Sequence, residues 1–558
     1  MKKCLKLSII GITLCFNLNN YSVKASNTYY STTNAPEFYG TTQITLKVGD
    51  SFDLEDTKYR IYARDFEDGD LTQQIEVKSN DVDTQTVGRY SVVYTVTDSH
   101  NNTTEITVPV NISDESTVNP SIQRTLYNLP SVWNMSLVGT HRANSGDRQH
   151  LGIFLPQGAS VKVKMITGNL DIQLQGLNND ADTEQATQLN KDKTEQIITA
   201  NYDIVLFART AVGENIEKQV IEIEFVDPDV KSVHYYHDGD DEAKFMSEWE
   251  NDVGNYAIIE NEVVTVIVPY DDRTKITAPT YFNYSFDSLD EFLYYWQEVV
   301  DFYDECLGLE FNPDEAIDQN VRSRYTIKAD KDSVGAAYYS TSHVAINSAS
   351  VASFFQRNWG GLHEIAHGYQ GTLGSKGMQL GEVSNNILGW YFQYYSMNTN
   401  RFSQNYDFYN GLGGAGNLDL TEHTYNTKRL SGQIFSQLSD YDKLYVLLNI
   451  FESFDAHHTY TEINKWYRRY VQENGQIQTQ DAYTLAIAEK YGYNIIPYFE
   501  AWGVEVSDST KAKLEVGNYK LISILNDLVG ESIAMEIKNN ENLHGEFALV
   551  SNELLEKY

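Results

Sequence analysis

Apolar and polar residues alternate with a period of two along much of the first 230 residues. The alternation is clear at 44–48, 90–96 and 106–110, and Gly- and Asp-containing turns separate these runs. Successive side chains of a strand point to opposite faces, so this pattern predicts short strands that are buried on one side. Residues 37–113 are therefore predicted to form an antiparallel β-sandwich.

The same alternation continues beyond this first region. Further runs lie at 151–155, 161–165, 170–174 and 221–225. They predict a second β-sandwich over residues 114–230. The segment Asp227-Pro-Asp229 follows the last run and is typical of a linker.

After residue 230 the apolar residues recur at helical spacing. Ser288 and Glu291 form a capping box ahead of a predicted helix over 289–306, which Gly308 ends. Further helices are predicted at 359–373, 380–398, 441–454, 461–473 and 480–490, and one strand at 336–346. We therefore predict a mainly helical α+β domain over 231–505 and leave 506–558 unassigned.

Composition limits the classes of function. The chain has 558 residues, which at roughly 100–200 residues per domain predicts several domains. Its formal net charge of −36 argues against binding to nucleic acid or to an anionic membrane. No apolar run reaches the roughly 20 residues of a membrane-spanning helix, so we expect no membrane span.

The N-terminus has the pattern of an export signal. Lys2 and Lys3 precede a largely apolar stretch over 5–18, and Val23-Lys-Ala25 fits a small-x-small cleavage site. We predict a signal peptide over 1–25 and a polar linker over 26–36.

Cysteine usage agrees with export. Cys4 and Cys15 lie within the predicted signal peptide, so Cys306 alone would remain and no intramolecular disulfide could form. We predict a secreted protein, with association to the cell surface left open.

Two acidic segments have the oxygen-rich composition of calcium loops. One contains Asp65, Asp68 and Asp70, and the other runs from His237 to Glu242. Carboxylate oxygens are ligands that calcium prefers. We nevertheless expect both segments to be solvated turns without a bound ion.

The segment Trp359-Gly-Gly-Leu-His363-Glu364-Ile-Ala-His367 carries the most informative chemistry. On a helix, His363 and His367 lie on one face, one turn apart, where two imidazoles can bind one metal ion. Glu364 lies beside the first histidine and can reach a water bound to that metal. Leu362, Ile365, Ala366 and Tyr369 form an apolar stripe that can bury the helix.

A catalytic zinc ion needs a third protein ligand and an open position for water. Leu373 stands where a third histidine would follow in one group of such enzymes, so a later carboxylate is the remaining choice. Glu382 lies 15 residues after His367, and a loop that contains Gly371, Gly374 and Gly377 lets the chain reverse between them. Asn386, one turn later, can accept a hydrogen bond from a ligand histidine.

This set predicts one catalytic Zn²⁺ bound by His363, His367 and Glu382. Glu364 would activate the zinc-bound water and later protonate the leaving amine. An oxyanion stabiliser is also expected, and spacing does not choose among Tyr394, His457, His458 and Tyr460. The strand at 336–346 is expected to line the cleft and pair with an extended substrate.

Both halves of the chain resemble known families. Asp65-Phe-Glu-Asp-Gly-Asp70-Leu-Thr and the run over 88–98 resemble the Ig-like module of bacterial surface and secreted proteins, including insecticidal crystal proteins. The segment over 359–395 with the Glu382 spacing resembles the enhancin-like zinc metallopeptidases, which are gluzincins. Tyr493-Asn-Ile-Ile-Pro-Tyr-Phe-Glu-Ala-Trp-Gly503 is similar to the closing motif of that catalytic domain, and Leu155-Pro-Gln-Gly158 to the β-sandwich before it.

The resemblance implies a secreted endopeptidase that cleaves O-glycosylated glycoproteins such as mucins. It assigns the metal to His363, His367 and Glu382 and the acid/base role to Glu364. The alternative is a surface-binding adhesin or carbohydrate-binding protein whose peptidase module is inactive. For the peptidase we expect a glycoprotein substrate. The sequence does not fix the oligomeric state, and a monomer is the expectation.

Overall fold

The structure is a computed structural model that describes residues 34–133, 138–140, 142, 147–192, 195–276, 286–333, 335–340, 343–398, 425–524, 531–541 and 549–551. The predicted signal peptide and most of the predicted linker lie outside these residues. Within them, no helix is long and apolar enough to cross a membrane. The chain forms two units, one of Asn34–Gly414 with His457–Ile477, and one that includes Ala415–Ala456 and Gln478–Tyr558.

The described residues from 34 to 232 contain fifteen strands, as the alternation in this part of the chain predicts. The first six are β1 Glu37–Lys47, β2 Ile61–Asp65, β3 Gly69–Asp70, β4 Glu76–Asn80, β5 Gly88–Thr97 and β6 Thr103–Ser113. The next nine are β7 Ser121–Tyr127, β8 Gln149–Leu155, β9 Ser160–Thr167, β10 Ile172–Leu177, β11 Gln185–Leu189, β12 Glu195–Thr199, β13 Ile204–Thr210, β14 Lys218–Phe225 and β15 Lys231–Ser232.

One sheet runs through both predicted β-sandwiches. Its strand order is β12-β9-β14-β7-β1-β6-β5-β4. Strands β1 and β7 join the two regions through antiparallel pairing, with Ile44 opposite Ile122. A single apolar core extends from Phe38 to Val230. The expectation of two separate sandwiches is therefore too simple, because β1 pairs with strands from both regions and leaves no gap between them.

A second sheet lies in the region after residue 147. Its order is β11-β10-β13-β8-β15. Phe154, Val205 and Phe207 of this sheet share a core with Ile258 and Ile267, which belong to the sheet that follows in sequence. The second β region is thus packed directly against the domain that carries the histidine motif.

That domain contains a mixed sheet whose strands are β16 His234–His237, β17 Ala257–Glu260, β18 Val264–Val268, β19 Tyr325–Ala329, β20 Ala337–Tyr339 and β21 Val344–Ile346. The order is β16-β17-β18-β19-β21-β20, with β20 at the edge. The single strand predicted at 336–346 is wrong. The chain reverses between β20 and β21, which pair as antiparallel strands, and Ser340 N donates to the carbonyl of His343 at 2.8 Å.

Five helices are described in the same domain up to residue 398. They are α1 Glu242–Glu250, α2 Arg273–Ile276, α3 Leu289–Leu307, α4 Trp359–His367 and α5 Ser384–Asn398. The predicted N-cap Ser288 and the end of α3 at Gly308 are confirmed, but the second bond of the predicted capping box differs, because Glu291 Oε2 accepts from Asp287 N at 2.6 Å. Ser288 Oγ accepts from Glu291 N at 3.0 Å, and Gly308 adopts the left-handed conformation at φ 60°.

The remaining helices lie further along the chain. They are α6 Asp440–Glu452, α7 His457–Asn474, α8 Thr479–Tyr491, α9 Ile496–Ala501, α10 Asp508–Glu515 and α11 Glu531–Glu541. Helix α7 belongs to the larger unit and the others to the smaller one. The smaller unit also has a sheet of order β22 Tyr493–Asn494, β23 Lys520–Ile524 and β24 Leu549–Ser551. The segment over 506–558, left unassigned from sequence, contributes helices and strands to it.

The two acidic segments meet each other, and the expectation that both are solvated turns is wrong. His237 Nε2 lies 3.0 Å from Asp70 Oδ2, and both Nη atoms of Arg60 lie 3.4 Å from Asp240 carboxylate oxygens. His237 is buried, and Asp241 caps α1. These contacts attach the Ig-like region to the domain that follows.

The His237–Asp70 pair predicts a pH-dependent stability. Burial opposes the charged form of His237, but the neighbouring carboxylates of Asp70 and Asp238 outweigh it and raise its pKa to about 10. The stabilisation is complete below the unfolded-state pKa of about 6.5 and is lost as the pH rises towards 10, where folded His237 loses its proton. We expect the free energy of unfolding to fall over this range by a few kcal/mol.

The measurement is the denaturation midpoint from pH 6 to 10 for the wild type and for His237→Gln. The variant should be less stable at pH 6 and should lose less stability on raising the pH. His100→Gln, at an exposed histidine, is the control. Parallel curves for His237→Gln and wild type would show that the pair does not contribute.

Candidate metal centre

Helix α4 presents the two histidines. Asn358 Oδ1 accepts from Gly361 N at 3.0 Å and caps the helix. Leu362, Ile365 and Ala366 are fully buried, so the predicted apolar stripe fixes how the helix lies against the core. The helix ends at His367 rather than at 373 as predicted, because the chain turns at Gly368.

Two glycines let neighbouring rings approach α4 closely. A Cβ on Gly361 would lie 2.8 Å from Trp296, and one on Gly368 would lie 2.3 Å from the ring of Tyr325. Either distance is below the normal contact limit for carbon atoms. The glycines that flank the histidines are therefore required by packing.

The third residue of the set lies on a turn. Gly377 and Gln379 adopt positive φ values of 84° and 53°, and the chain reverses there, as the glycine spacing predicted. Helix α5 begins at Ser384, so Glu382 precedes it rather than lying inside a helix that begins at 380. Val383 N and Ser384 N both donate to the carbonyl of Leu380, which forms the turn.

The turn brings Glu382 to both histidines. The two imidazole Nε2 atoms of His363 and His367 are 3.1 Å apart, and Glu382 Oε2 lies 3.2 Å from the first and 3.5 Å from the second. A tetrahedral zinc ion about 2.0–2.1 Å from its ligands holds them about 3.3 Å apart. Two imidazoles and one carboxylate at this spacing fit zinc in both donor type and geometry.

Burial and charge set the protonation of the site. Burial lowers the pKa of His363, which favours the neutral imidazole that a metal requires. Glu364 is only 7% exposed, and burial, followed by the charge of Glu382, raises its pKa to about 7 against a hydrogen bond from the backbone of Tyr339. Glu364 therefore faces the edge strand β20 and is poised to exchange a proton near neutral pH.

Side-chain amides surround the histidines. The contact suggested for Asn386 is present, with its Oδ1 2.9 Å from His363 Nδ1. Sequence reasoning missed Gln370, whose Oε1 lies 2.7 Å from His367 Nδ1, and Asn385, whose Nδ2 lies 3.1 Å from His367 Nε2. Gln370 follows His367 by three residues, and that spacing was the available signal.

The contacts of the four oxyanion candidates do not single out one of them. His457 and His458 group with Glu305, and His457 Nδ1 lies 2.9 Å from Tyr395 Oη. Tyr394 stacks on Trp390 with ring centroids 5.4 Å apart. Tyr460 is buried and lines a small cavity together with Gln370 and Ser384.

Two family models match the chain. Residues 232–503 match the family described as peptidase M60, enhancin and enhancin-like. Residues 36–112 match the bacterial surface protein Ig-like domain. The chain thus carries an enhancin-like M60 metallopeptidase domain behind an N-terminal bacterial Ig-like domain.

Several solved structures share this fold. A conserved protein of unknown function from Bacillus anthracis matches with a TM-score of 0.55 and 14% identity, over 72% of this chain and 79% of that one. The ZmpB metallopeptidase from Clostridium perfringens matches with a TM-score of 0.52 and 14% identity, over 68% and 78%. IMPa from Pseudomonas aeruginosa, solved with an O-glycopeptide, matches with a TM-score of 0.51 and 14% identity, over 77% and 54%.

The N-terminal region also has a curated relative. It is 36% identical over 76 residues to the pesticidal crystal protein Cry22Aa of Bacillus thuringiensis. The match covers 13% of this chain and 10% of that protein. It concerns the Ig-like part alone.

Proposed function

We propose that the protein is a secreted, zinc-dependent endopeptidase that cleaves glycoproteins, O-glycosylated mucins among them. The observation that carries the proposal is the triangle of His363 Nε2, His367 Nε2 and Glu382 Oε2, with edges of 3.1–3.5 Å. Glu364, at the same site, is the proposed acid/base residue. The bacterial surface Ig-like domain supports an extracellular location.

The protein's own residues have distinct roles in this proposal. His363, His367 and Glu382 hold the ion, which when bound supplies Lewis acidity that acidifies water and polarises a peptide carbonyl. The carboxylate of Glu364 takes a proton from water as that water attacks the peptide carbonyl, and then gives the proton to the amine that leaves. Strand β20 is the edge strand of its sheet and lies beside Glu364, so an extended peptide can add to it as a further strand.

The proposed substrate class rests on the relatives. IMPa was solved with an O-glycopeptide, and the sequence motifs resemble those of mucin-degrading enzymes. The direct experiment is to incubate purified protein with mucins, with and without a chelator, and to identify the cleaved bonds by mass spectrometry. Zinc-dependent cleavage beside glycosylated residues is expected. No cleavage by the zinc-loaded protein would favour the adhesin alternative.

Removing Glu382 is expected to weaken zinc binding strongly. Glu382→Ala eliminates one of three proposed ligands, so the loss should exceed the roughly 10–100-fold that follows loss of a ligand's hydrogen-bond partner. Competition with a chromophoric chelator measures the dissociation constant. Glu105→Ala, at an exposed glutamate paired with Lys78, should bind zinc as the wild type does. Unchanged affinity of Glu382→Ala would exclude this residue as a ligand.

A further inference from the structure

Gln370 connects one ligand histidine to the turn that carries Glu382. Its Oε1 lies 2.7 Å from His367 Nδ1. Its Nε2 donates to the carbonyl oxygen of Gly381 and, at 2.8 Å, to Ser384 Oγ. Because an amide nitrogen carries two hydrogens, Gln370 has a partner for its acceptor and for each of its donors.

Asn386 makes the equivalent connection from the other histidine. Its Oδ1 lies 2.9 Å from His363 Nδ1 and also accepts from Trp359 Nε1 at 2.9 Å. Its Nδ2 donates to the carbonyl oxygen of Glu382 at 2.8 Å. The two amides thus bind the backbone carbonyls of two consecutive residues, 381 and 382. Each amide links one of these carbonyls to a different histidine.

An amide is the group that this arrangement requires. Its oxygen accepts from the histidine Nδ1–H, so that Nε2 keeps its lone pair for the metal. Its nitrogen donates at the same time to a backbone carbonyl. A carboxylate in the same place would still accept from the histidine but would repel the carbonyl oxygen.

We propose that Gln370 and Asn386 are paired positioning residues that tie the Glu382 turn to the two histidines, so that the three ligand atoms are held at their spacing by the protein itself. This rests on the proposed function of His363, His367 and Glu382 as zinc ligands. Each amide makes two kinds of contact: its oxygen sets the tautomer of a histidine, and its nitrogen holds the position of the turn. Loss of either contact weakens metal binding.

The test compares Gln370→Glu and Gln370→Met, with the zinc dissociation constant from chelator competition as the readout. Gln370→Met loses the bond to His367 and the bonds to the turn, and Gln370→Glu loses only the donor to the turn. Both should bind zinc about 10–100-fold more weakly than the wild type. Gln188→Glu makes the same exchange at an exposed glutamine of β11, outside the ligand cluster, and should bind zinc as the wild type does.

The glutamate variant decides the proposal. If Gln370 acted only through His367, a carboxylate would hold the imidazole at least as well, and Gln370→Glu would bind zinc as tightly as the wild type or more tightly. That outcome overturns the proposal. Asn386→Asp repeats the comparison at the second amide, with the same expectation.

The zinc affinity of the wild type separates this proposal from the proposed function on which it rests. If the wild type binds no zinc, the proposed function fails. If the wild type binds zinc and the amide variants bind equally well, only the inference fails. The melting temperatures of the metal-free variants identify any that do not fold, and the visible spectrum of the cobalt-loaded forms should change in Gln370→Glu but not in Gln188→Glu.

Discussion

Glu364→Gln should lower kcat for peptide cleavage by about 10²–10⁴-fold, the usual contribution of a general acid–base residue. The amide has the size of the carboxylate but cannot take up the proton. Glu364 lies outside the ligand triangle, so the variant should still bind one zinc ion. The measurement is the rate of cleavage of a glycopeptide, together with metal content by elemental analysis.

The two readouts identify what Glu364 does. Loss of cleavage with retained zinc is the expected pattern. Loss of both would mean that Glu364 holds the site together rather than transferring a proton. A variant that cleaves as fast as the wild type would remove the residue from the mechanism.

Arg324→Met should cause the largest loss of stability. Arg324 is 6% exposed and donates from Nε and Nη2 to the two carboxylate oxygens of Asp147, each at 2.9 Å. Its Nη1 lies 2.6 Å from Glu260 Oε1. Replacing it leaves two buried carboxylates without their cation, which costs about 3–5 kcal/mol.

Chemical denaturation followed by fluorescence measures this loss. Arg89→Met, at an exposed arginine of the Ig-like region, should change the free energy of unfolding by less than about 0.5 kcal/mol. Equal midpoints for the two variants would show that the buried network is not stabilising. Asp147 lies in the second β region and Arg324 directly before β19, so the experiment also tests how these regions are joined.

The placement of His363 and His367 on one helix was predicted more accurately than the boundaries of the elements. The spacing of His363, Glu364 and His367 is local, and a helix converts it directly into a shared face. Glu382 was predicted to lie inside a helix but lies on the turn before it. Helical periodicity does not show where a turn with positive φ values, here at Gly377 and Gln379, delays the start of a helix. The contacts of Gln370 depend on the same reversal.

Long-range pairing explains the other differences. The alternation at 37–113 and 114–230 predicted strands correctly but could not show that β1 pairs with both regions. The acidic segments around Asp70 and His237 were expected to be solvated, because each partner is far away in sequence. Strand alternation also gives no sign of a reversal, so β20 and β21 were predicted as one strand.

The pairing of β1 with both β6 and β7 has a consequence for making shorter versions of this protein. A cut after residue 113 would separate β1 from β7 and leave the residues of β7 from Ser121 to Thr125 without their partner on that side. Unpaired backbone groups and uncovered apolar residues on such an edge recruit other chains. A fragment that starts at residue 114 is therefore expected to aggregate, and recombinant material that begins before β1 should stay in solution.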